Sequence, residues 1–332
     1  MEDDDRKDER IDKLLKSLEK RTFMKELFER GLGDLVDNDI VSKFDILDDY
    51  LPILNCKKIN LRTLVVTERT KEDYFTFECP VKLKNKTKHA ERYFTELFPK
   101  EEIREYVRRV CAYMLTGNID ARKFFVFYGS GSNSKSVLID MVSKILGKYH
   151  HACSPSVFTK SKSDSGGASP HLFSLMGKRL ATYSEGDTSD KMEMDVANIK
   201  KISGGDEICC RGLYKDELKT KLISKLVMMT NFVPPLNAEK AIVDRLNYVF
   251  FDTIFSHDPK DGEQKIDVEF VKKLQTDYLS EVFTYIVQAC PSYYETCRID
   301  MPKEFEDRTK KILENEDSIT TFVTRFIRKT NN

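Results

Sequence analysis

Residues 124–147 constrain the fold more than any other stretch. Phe124-Phe-Val-Phe-Tyr128 is an apolar, aromatic run without helical spacing, which predicts a parallel strand buried on both faces. A loop of small polar residues, Gly129 to Ser136, follows. Beyond it Leu138, Met141, Val142, Ile145 and Leu146 recur at helical spacing, which predicts a helix with one apolar face. Gly147 stands where the C-cap of that helix falls. Strand, small-residue loop, Lys-Ser and helix, in that order, make a phosphate-binding loop.

The chemistry of phosphate explains the composition of the loop. A triphosphate needs backbone N–H donors turned inward, and a helix N-terminus supplies them with a favourable dipole. Gly129, Ser130, Gly131, Ser132, Asn133, Ser134, Lys135 and Ser136 are therefore the candidate residues for ATP. Lys135 is placed to reach the β- and γ-phosphates, and Ser136 to set its hydroxyl on Mg²⁺. One position departs from the pattern G-x-x-x-x-G-K-[ST]: Ser134 stands at the second glycine. Glycine serves there because the backbone approaches phosphate closely and adopts positive φ. A serine is expected to cost about 1 kcal/mol of strain.

The 332 residues suit one large domain or two. Lys plus Arg and Asp plus Glu both number 55, so no global basic field exists and any nucleic-acid surface must be local. No apolar run approaches the ~20 residues that span a bilayer. The first residues, Met1 to Ile11, are acidic and lack an apolar signal core, which argues against secretion. None of the eight cysteines forms a C-x-x-C pair, which argues against a disulfide framework or zinc site and for reduced, mostly buried thiols. His150-His151 reads as a loop after the first helix rather than a ligand pair.

Along the chain, Ile11, Leu14, Leu15 and Leu18 give a helical stripe, and Gly31 and Gly33 end that segment. Short strands separated by turns are expected between residues 44 and 66. Residues 84–92 are basic and polar and read as a solvated loop. From Pro99, Ile103, Tyr106, Val107, Val110, Cys111 and Met114 share one face of a helix that Gly117 closes. Ser154 to Pro170 is rich in Ser, Lys and Gly and reads as a mobile segment. Residues 180–183 make a core strand with Glu185 just past its C-terminal end, the edge that faces ligand in a parallel sheet. There a carboxylate can hold Mg²⁺ or polarise an attacking water, with Asp187 as a second candidate.

A short helix from Val196 stops at Gly204-Gly205, and two runs around Lys215-Asp-Glu217 predict a hairpin. From 196 to 225 seven bases face four acids, so the hairpin region is locally basic and suits a phosphate backbone. Ser224 to Asn231 is another buried strand ending in an amide placed to orient water at a γ-phosphate. Asp244-Arg245 precedes a last apolar strand; Arg245 either pairs with Asp244 or reaches a neighbouring subunit's phosphate. From 266 the chain is helical. A broad stripe runs to Cys290-Pro291, and a last piece holds Ile319, Phe322, Val323, Phe326 and Ile327. The expected organisation is a mixed N-terminal region (1–95), an ATPase core (96–255) and a helical C-terminal segment (256–332).

The ordered set of motifs resembles the superfamily 3 helicases of the AAA+ class, above all the helicase part of the primase-helicases of nucleocytoplasmic large DNA viruses and related phages. The resemblance rests on Gly129 to Ser136, the strand ending at Glu185, Lys200 to Asp206 with Arg211 and Tyr214, Thr230-Asn231 followed by Pro234, and Asp244-Arg245. The stretch from Leu51 to Thr63 also looks like the segment these proteins carry before the ATPase core.

The resemblance implies an α/β fold with a central parallel sheet flanked by helices, and a ring, usually hexameric, with ATP and Mg²⁺ between subunits. It implies that Glu185 is the acid that holds the metal, Asn231 the polar sensor and Arg245 a finger across the interface. Lys201, Arg211 and Lys215 would lie in the element that moves single-stranded DNA through the channel. A primase or polymerase is the candidate partner, and host cytoplasm or a viral replication site the expected location. Ser184 stands where a second acid is usual, and no primase region precedes the core, so a standalone helicase or a fragment of something longer is expected. The competing reading, motivated by Ser134, is a nucleic-acid-binding ring or assembly scaffold with weakened catalysis. A small-molecule kinase fits poorly, because no lid-like arginine cluster is present.

Overall fold

In the computed structural model the described residues are 43–159, 170–184, 194–211, 217–232 and 243–326. The expectations placed on residues 11–33, on Glu185 and Asp187, on Lys215 and on Pro234 lie outside them. The chain from Phe44 onward forms one compact unit. It opens with a three-stranded antiparallel sheet: β1 (Tyr50–Ile53), β2 (Lys57–Asn60) and β3 (Val66–Glu68). The left-handed pair Asn55 and Cys56 turns β1 into β2.

Two helices follow, α1 (Lys88–Leu97) and α2 (Glu101–Leu115). The first corrects the loop expected over 84–92. Ala90, Tyr93, Phe94 and Leu97 recur at helical spacing and are buried, while Lys88, Glu91 and Arg92 occupy the outer face. The strand β4 (Phe124–Tyr128) and the helix α3 (Lys135–Leu146) stand as the sequence predicts, and Gly147 caps α3 with φ +54°.

Then come β5 (His150–Ala152), the short α4 (Pro170–Phe173), β6 (Leu180–Ser184), α5 (Val196–Gly204), the hairpin β7 (Glu207–Arg211) and β8 (Glu217–Lys221), and β9 (Lys225–Thr230). The strand β10 (Leu246–Phe250), the small pair β11 (Phe255–Ser256) and β12 (Gln264–Lys265), and the helices α6 (Val268–Leu274), α7 (Leu279–Val287), α8 (Cys290–Thr296) and α9 (Lys303–Phe326) complete the unit. The stripe expected to run unbroken from 268 splits at Gln275–Tyr278, where the Thr276 hydroxyl takes the Lys272 carbonyl out of the helical ladder. The last helix begins sixteen residues before Ile319, just after Pro302, whose carbonyl accepts from the Phe305 N–H.

The central sheet has the order β10-β4-β9-β6-β5 and every pairing is parallel. The register aligns Tyr128 with both Thr230 and Phe250, and Ser184 with Met229. The C-terminal ends of four strands therefore lie along one edge, which is where ligands bind in open parallel sheets. Phe124, Phe125, Val126 and Phe127 have no exposed surface, which is why β4 is apolar throughout rather than alternating.

The opposite edge is closed by buried cations. Arg179, fully buried before β6, donates to the Leu115 carbonyl at 2.6 Å and to the Tyr50 and Leu47 carbonyls at 2.5 and 3.3 Å. Lys225, at the start of β9, donates to the Thr116 carbonyl. Both thus fill the C-terminal end of α2, where carbonyls have no intrahelical donor and the dipole is negative. Lys225 belongs to the window read as basic surface, and that reading is corrected for it: it is 1% exposed, and burial drives its ammonium well below the usual range.

His150 is in strand β5 rather than in a loop; its Nε2 lies 2.8 Å from Thr182 Oγ1. Burial, first, and the neighbouring His151 push its imidazole from 6.5 down to about 4. An unfolded chain therefore binds a proton before the folded one does. The contribution of His150 is complete above about pH 6.5 and is lost as pH falls toward about 4. Between pH 7 and 4 wild-type protein should lose about 2 kcal/mol more stability than His150→Gln, read from denaturant unfolding at each pH.

All seven described cysteines are free thiols. Only Cys79, Cys111 and Cys290 are buried, which pushes each up to about 12; Cys56 and Cys209 are exposed, so the expectation of mostly buried thiols is too broad. No helix among the described residues is long and apolar enough to cross a membrane.

Candidate phosphate-binding site

The loop from Gly129 to Ser136 leaves β4 at the aligned edge and enters α3. Its backbone is left-handed at Ser132 (φ +47°) and Ser134 (φ +60°), with Gly131 at φ +100°. The position where the motif prefers glycine does adopt positive φ, and serine holds it at a cost of about 1 kcal/mol. Gly129 is required for a different reason. A Cβ there would stand 2.1 Å from Asn133 Nδ2 and 2.6 Å from the Phe251 carbonyl. The loop folds over this position with no room for a side chain.

Lys135 opens α3 and points back into the loop. Its ammonium donates to the Gly129 carbonyl at 2.6 Å, to Asn231 Oδ1 at 2.8 Å and to Asn133 Oδ1 at 3.2 Å. All three are neutral oxygens, the residue is 6% exposed, and burial lowers its pKa. Asn133 in turn donates from Nδ2 to the Phe251 carbonyl at 3.3 Å, and the Phe255 N–H donates to the Ser132 carbonyl at 2.8 Å. The loop is thus fastened to the ends of both strands beside β4. In front of it lies a cleft of about 350 Å³, lined by residues 131–137, Ser184, Thr230, Asn231, Phe255 and Ile266.

The structure brings several of the sequence candidates together. Lys135, Ser136 and Asn231 all line the cleft. Glu185 lies outside the described residues; Ser184, the last residue of β6, lines the cleft and is exposed. Arg245 is elsewhere. Its carbonyl accepts from the Phe124 N–H at 2.8 Å, which puts it at the N-terminal end of β10. That is the far edge of the sheet, roughly 15 Å along the strands from the loop at ~3.3 Å per residue. Its Nη2 lies beside Gly204, 3.5 Å from where a Cβ would stand. Lys201 is exposed on α5, and Arg211 ends β7 opposite Glu217, so the hairpin forms in the register expected.

Sequence reasoning missed Phe255 and Ile266. They come from a segment without a motif, and only the hydrogen bond from Phe255 to the loop brings them to the cleft.

A donor-rich loop, a buried cation bonded to neutral oxygens, and a cleft at the switch from β4 to its neighbours fit a bound phosphate group. Residues 127–245, which contain the loop and Asn231, match a family of unknown function (DUF5906). Among curated proteins the chain is 26% identical to "Putative helicase 022R" of Frog virus 3 (isolate Goorha), over 78% of this chain and 28% of that protein. It is 29% identical to "Putative helicase L207/L206" of Acanthamoeba polyphaga mimivirus, over 46% of this chain and 16% of that one. The resemblance to the superfamily 3 helicases of large DNA viruses is borne out.

The chain spans less than a third of the length of these helicase relatives. The fold is shared with the apo structure of the NrS-1 C-terminal region (305–718), at a TM-score of 0.54 and 14% identity, covering 75% of this chain and 58% of that one.

Proposed function

We propose that this chain is the ATP-hydrolysing motor segment of a superfamily 3 DNA helicase acting in viral or mobile-element replication. It would work as a homo-oligomer, hexameric as is usual for the family, on single-stranded DNA, inside the cell at host cytoplasm or a viral replication site, with a primase or polymerase as partner. The observation that carries the reading is Lys135, an ammonium held by three neutral oxygens at a helix N-terminus, facing a cleft of about 350 Å³. The helicase names of the relatives support it.

In this reading residues 129–136 cradle the phosphates, Lys135 neutralises their charge, and Ser136 with Glu185 holds Mg²⁺. No cluster of three His, Cys, Asp or Glu is found among the described residues, which agrees with Mg²⁺, an ion that keeps several waters and needs one or two protein oxygens. The ion, when bound with ATP, supplies charge neutralisation across the phosphates. Asn231 orients the attacking water. Arg245, at the far edge of its own sheet, serves the cleft of a neighbouring subunit. Lys201, Arg211 and Lys215 grip the DNA backbone. Steady-state ATP hydrolysis with and without single-stranded DNA tests the proposal. Turnover that DNA stimulates is expected; no hydrolysis in an assembled sample overturns it.

One observation favours the second reading, a nucleic-acid-binding ring or assembly scaffold with weakened catalysis: Ser134 carries φ +60° where glycine is usual. Ser134→Gly is expected to raise stability by about 1 kcal/mol, a gain of ~2–4 °C in Tm. On the motor reading turnover stays within about twofold. A gain of tenfold or more in ATP affinity or turnover would instead identify Ser134 as the residue that weakened the site.

A further inference from the structure

Beside the phosphate cleft lies a second cavity of about 120 Å³. It shares Ser134, Val137, Phe255 and Ile266 with the cleft, so the two are continuous. Its walls are mostly apolar, with Phe270 and Val271 of α6 and Val137 of α3. It is too small for a whole ligand of ordinary size, since small-molecule sites span ~300–1,000 Å³. It suits one flat ring system belonging to a ligand whose remaining part fills the cleft.

The polar groups of this cavity are not equivalent. Glu96 accepts from Arg92 Nε at 2.7 Å. Asp267 caps α6 by accepting from the Phe270 N–H at 2.9 Å and also pairs with Arg92 at 3.6 Å. Lys265 is exposed to solvent. Tyr93 differs from all three. It is 3% exposed, and its hydroxyl has no hydrogen-bond partner among the described residues. A buried hydroxyl left without a partner costs about 1–3 kcal/mol, and such a group in a native structure calls for an explanation.

We propose that this cavity receives the nucleobase of the triphosphate and that the Tyr93 hydroxyl is the group that selects the base. The inference rests on the phosphate-cleft reading and deepens it. Tyr93 projects from α1, a helix before the phosphate loop in the chain, so base selection is assigned to an element outside the loop motif. The apolar walls take the faces of the ring by packing and accept any base. The hydroxyl, able to donate and to accept, distinguishes one ring edge from another.

The test uses the whole chain and three variants' worth of contrast: wild type, Tyr93→Phe and Lys135→Ala. Titration calorimetry follows ATP, GTP, CTP, UTP and inorganic tripolyphosphate, the last carrying no base. Tyr93→Phe is expected to bind tripolyphosphate as wild type does, to bind the preferred nucleotide about three- to tenfold more weakly, and to lose the preference among bases. Its nucleotide-free Tm is expected to rise, because an orphan hydroxyl has been removed from the interior. Unchanged affinities for all four nucleotides overturn the proposal. So does a lower Tm with unchanged preference, which would mean that the hydroxyl serves the fold. Failure of the phosphate reading shows separately, as tripolyphosphate binding that Lys135→Ala leaves intact.

Discussion

Lys135→Ala should lower steady-state ATP hydrolysis by at least about a hundredfold while the protein stays folded. The magnitude is that of removing one preorganised donor from the charge that develops in a transition state. Lys135 offers the only side-chain ammonium among the described residues lining the cleft, and it does so from the first turn of α3 with its position fixed by Gly129, Asn133 and Asn231. The fold should survive because the three oxygens left behind face a cleft that water enters, so none becomes an orphan in the core. The comparison is made at saturating ATP with single-stranded DNA, with Tm measured on the same samples. A variant that keeps its turnover removes Lys135 from the chemistry and with it the motor reading. A variant that melts far below wild type would show instead that the ammonium holds the loop together.

The largest loss of stability is expected at the other edge of the sheet. Arg179→Leu leaves the carbonyls of Leu115, Tyr50 and Leu47 without their donor in a region from which Arg179 itself excludes water. Each orphan carbonyl costs about 1–3 kcal/mol. Against this stands the relief of desolvating a cation whose Nε has no partner among the described residues, and the apolar contact that leucine makes with Tyr149. Three carbonyls outweigh one nitrogen, and the net loss should be about 4 kcal/mol, or roughly 10 °C in Tm for a domain of this size. Arg179→Lys, which keeps the charge but reaches fewer carbonyls, should fall between. Circular dichroism melts would decide it. Equal melting temperatures would mean that the N-terminal sheet is held to the core by its apolar contacts alone.

The region around β4 and α3 was legible because every level agrees there. The run from Phe124 has no helical period, the helix after Lys135 has one, and the turn between them is made of the small residues that phosphate needs. Asn231 could be placed for the same reason, since the end of a buried strand in a parallel sheet has one position relative to its neighbours. The sequence hid what depends on burial of charge. Lys225 and Arg179 read as surface, because a lone base carries no sign that a helix C-terminus waits for it across the fold. The helix α1 was hidden by its own exposed face, whose lysines and acids outnumber the buried Ala90, Tyr93, Phe94 and Leu97. Tyr93 and Phe255 reach the site through tertiary closure, and no spacing along the chain records that.

One ammonium serves two masters in the loop. The proton-bearing end of Lys135 that holds Asn231 is the same group that an arriving phosphate must claim. Filling the loop and untying the end of β9 are then a single event, and emptying it restores the tie. The site works as a latch whose catch is the amide of Asn231, and occupancy is reported to the rest of the sheet by a bond that opens rather than by one that forms.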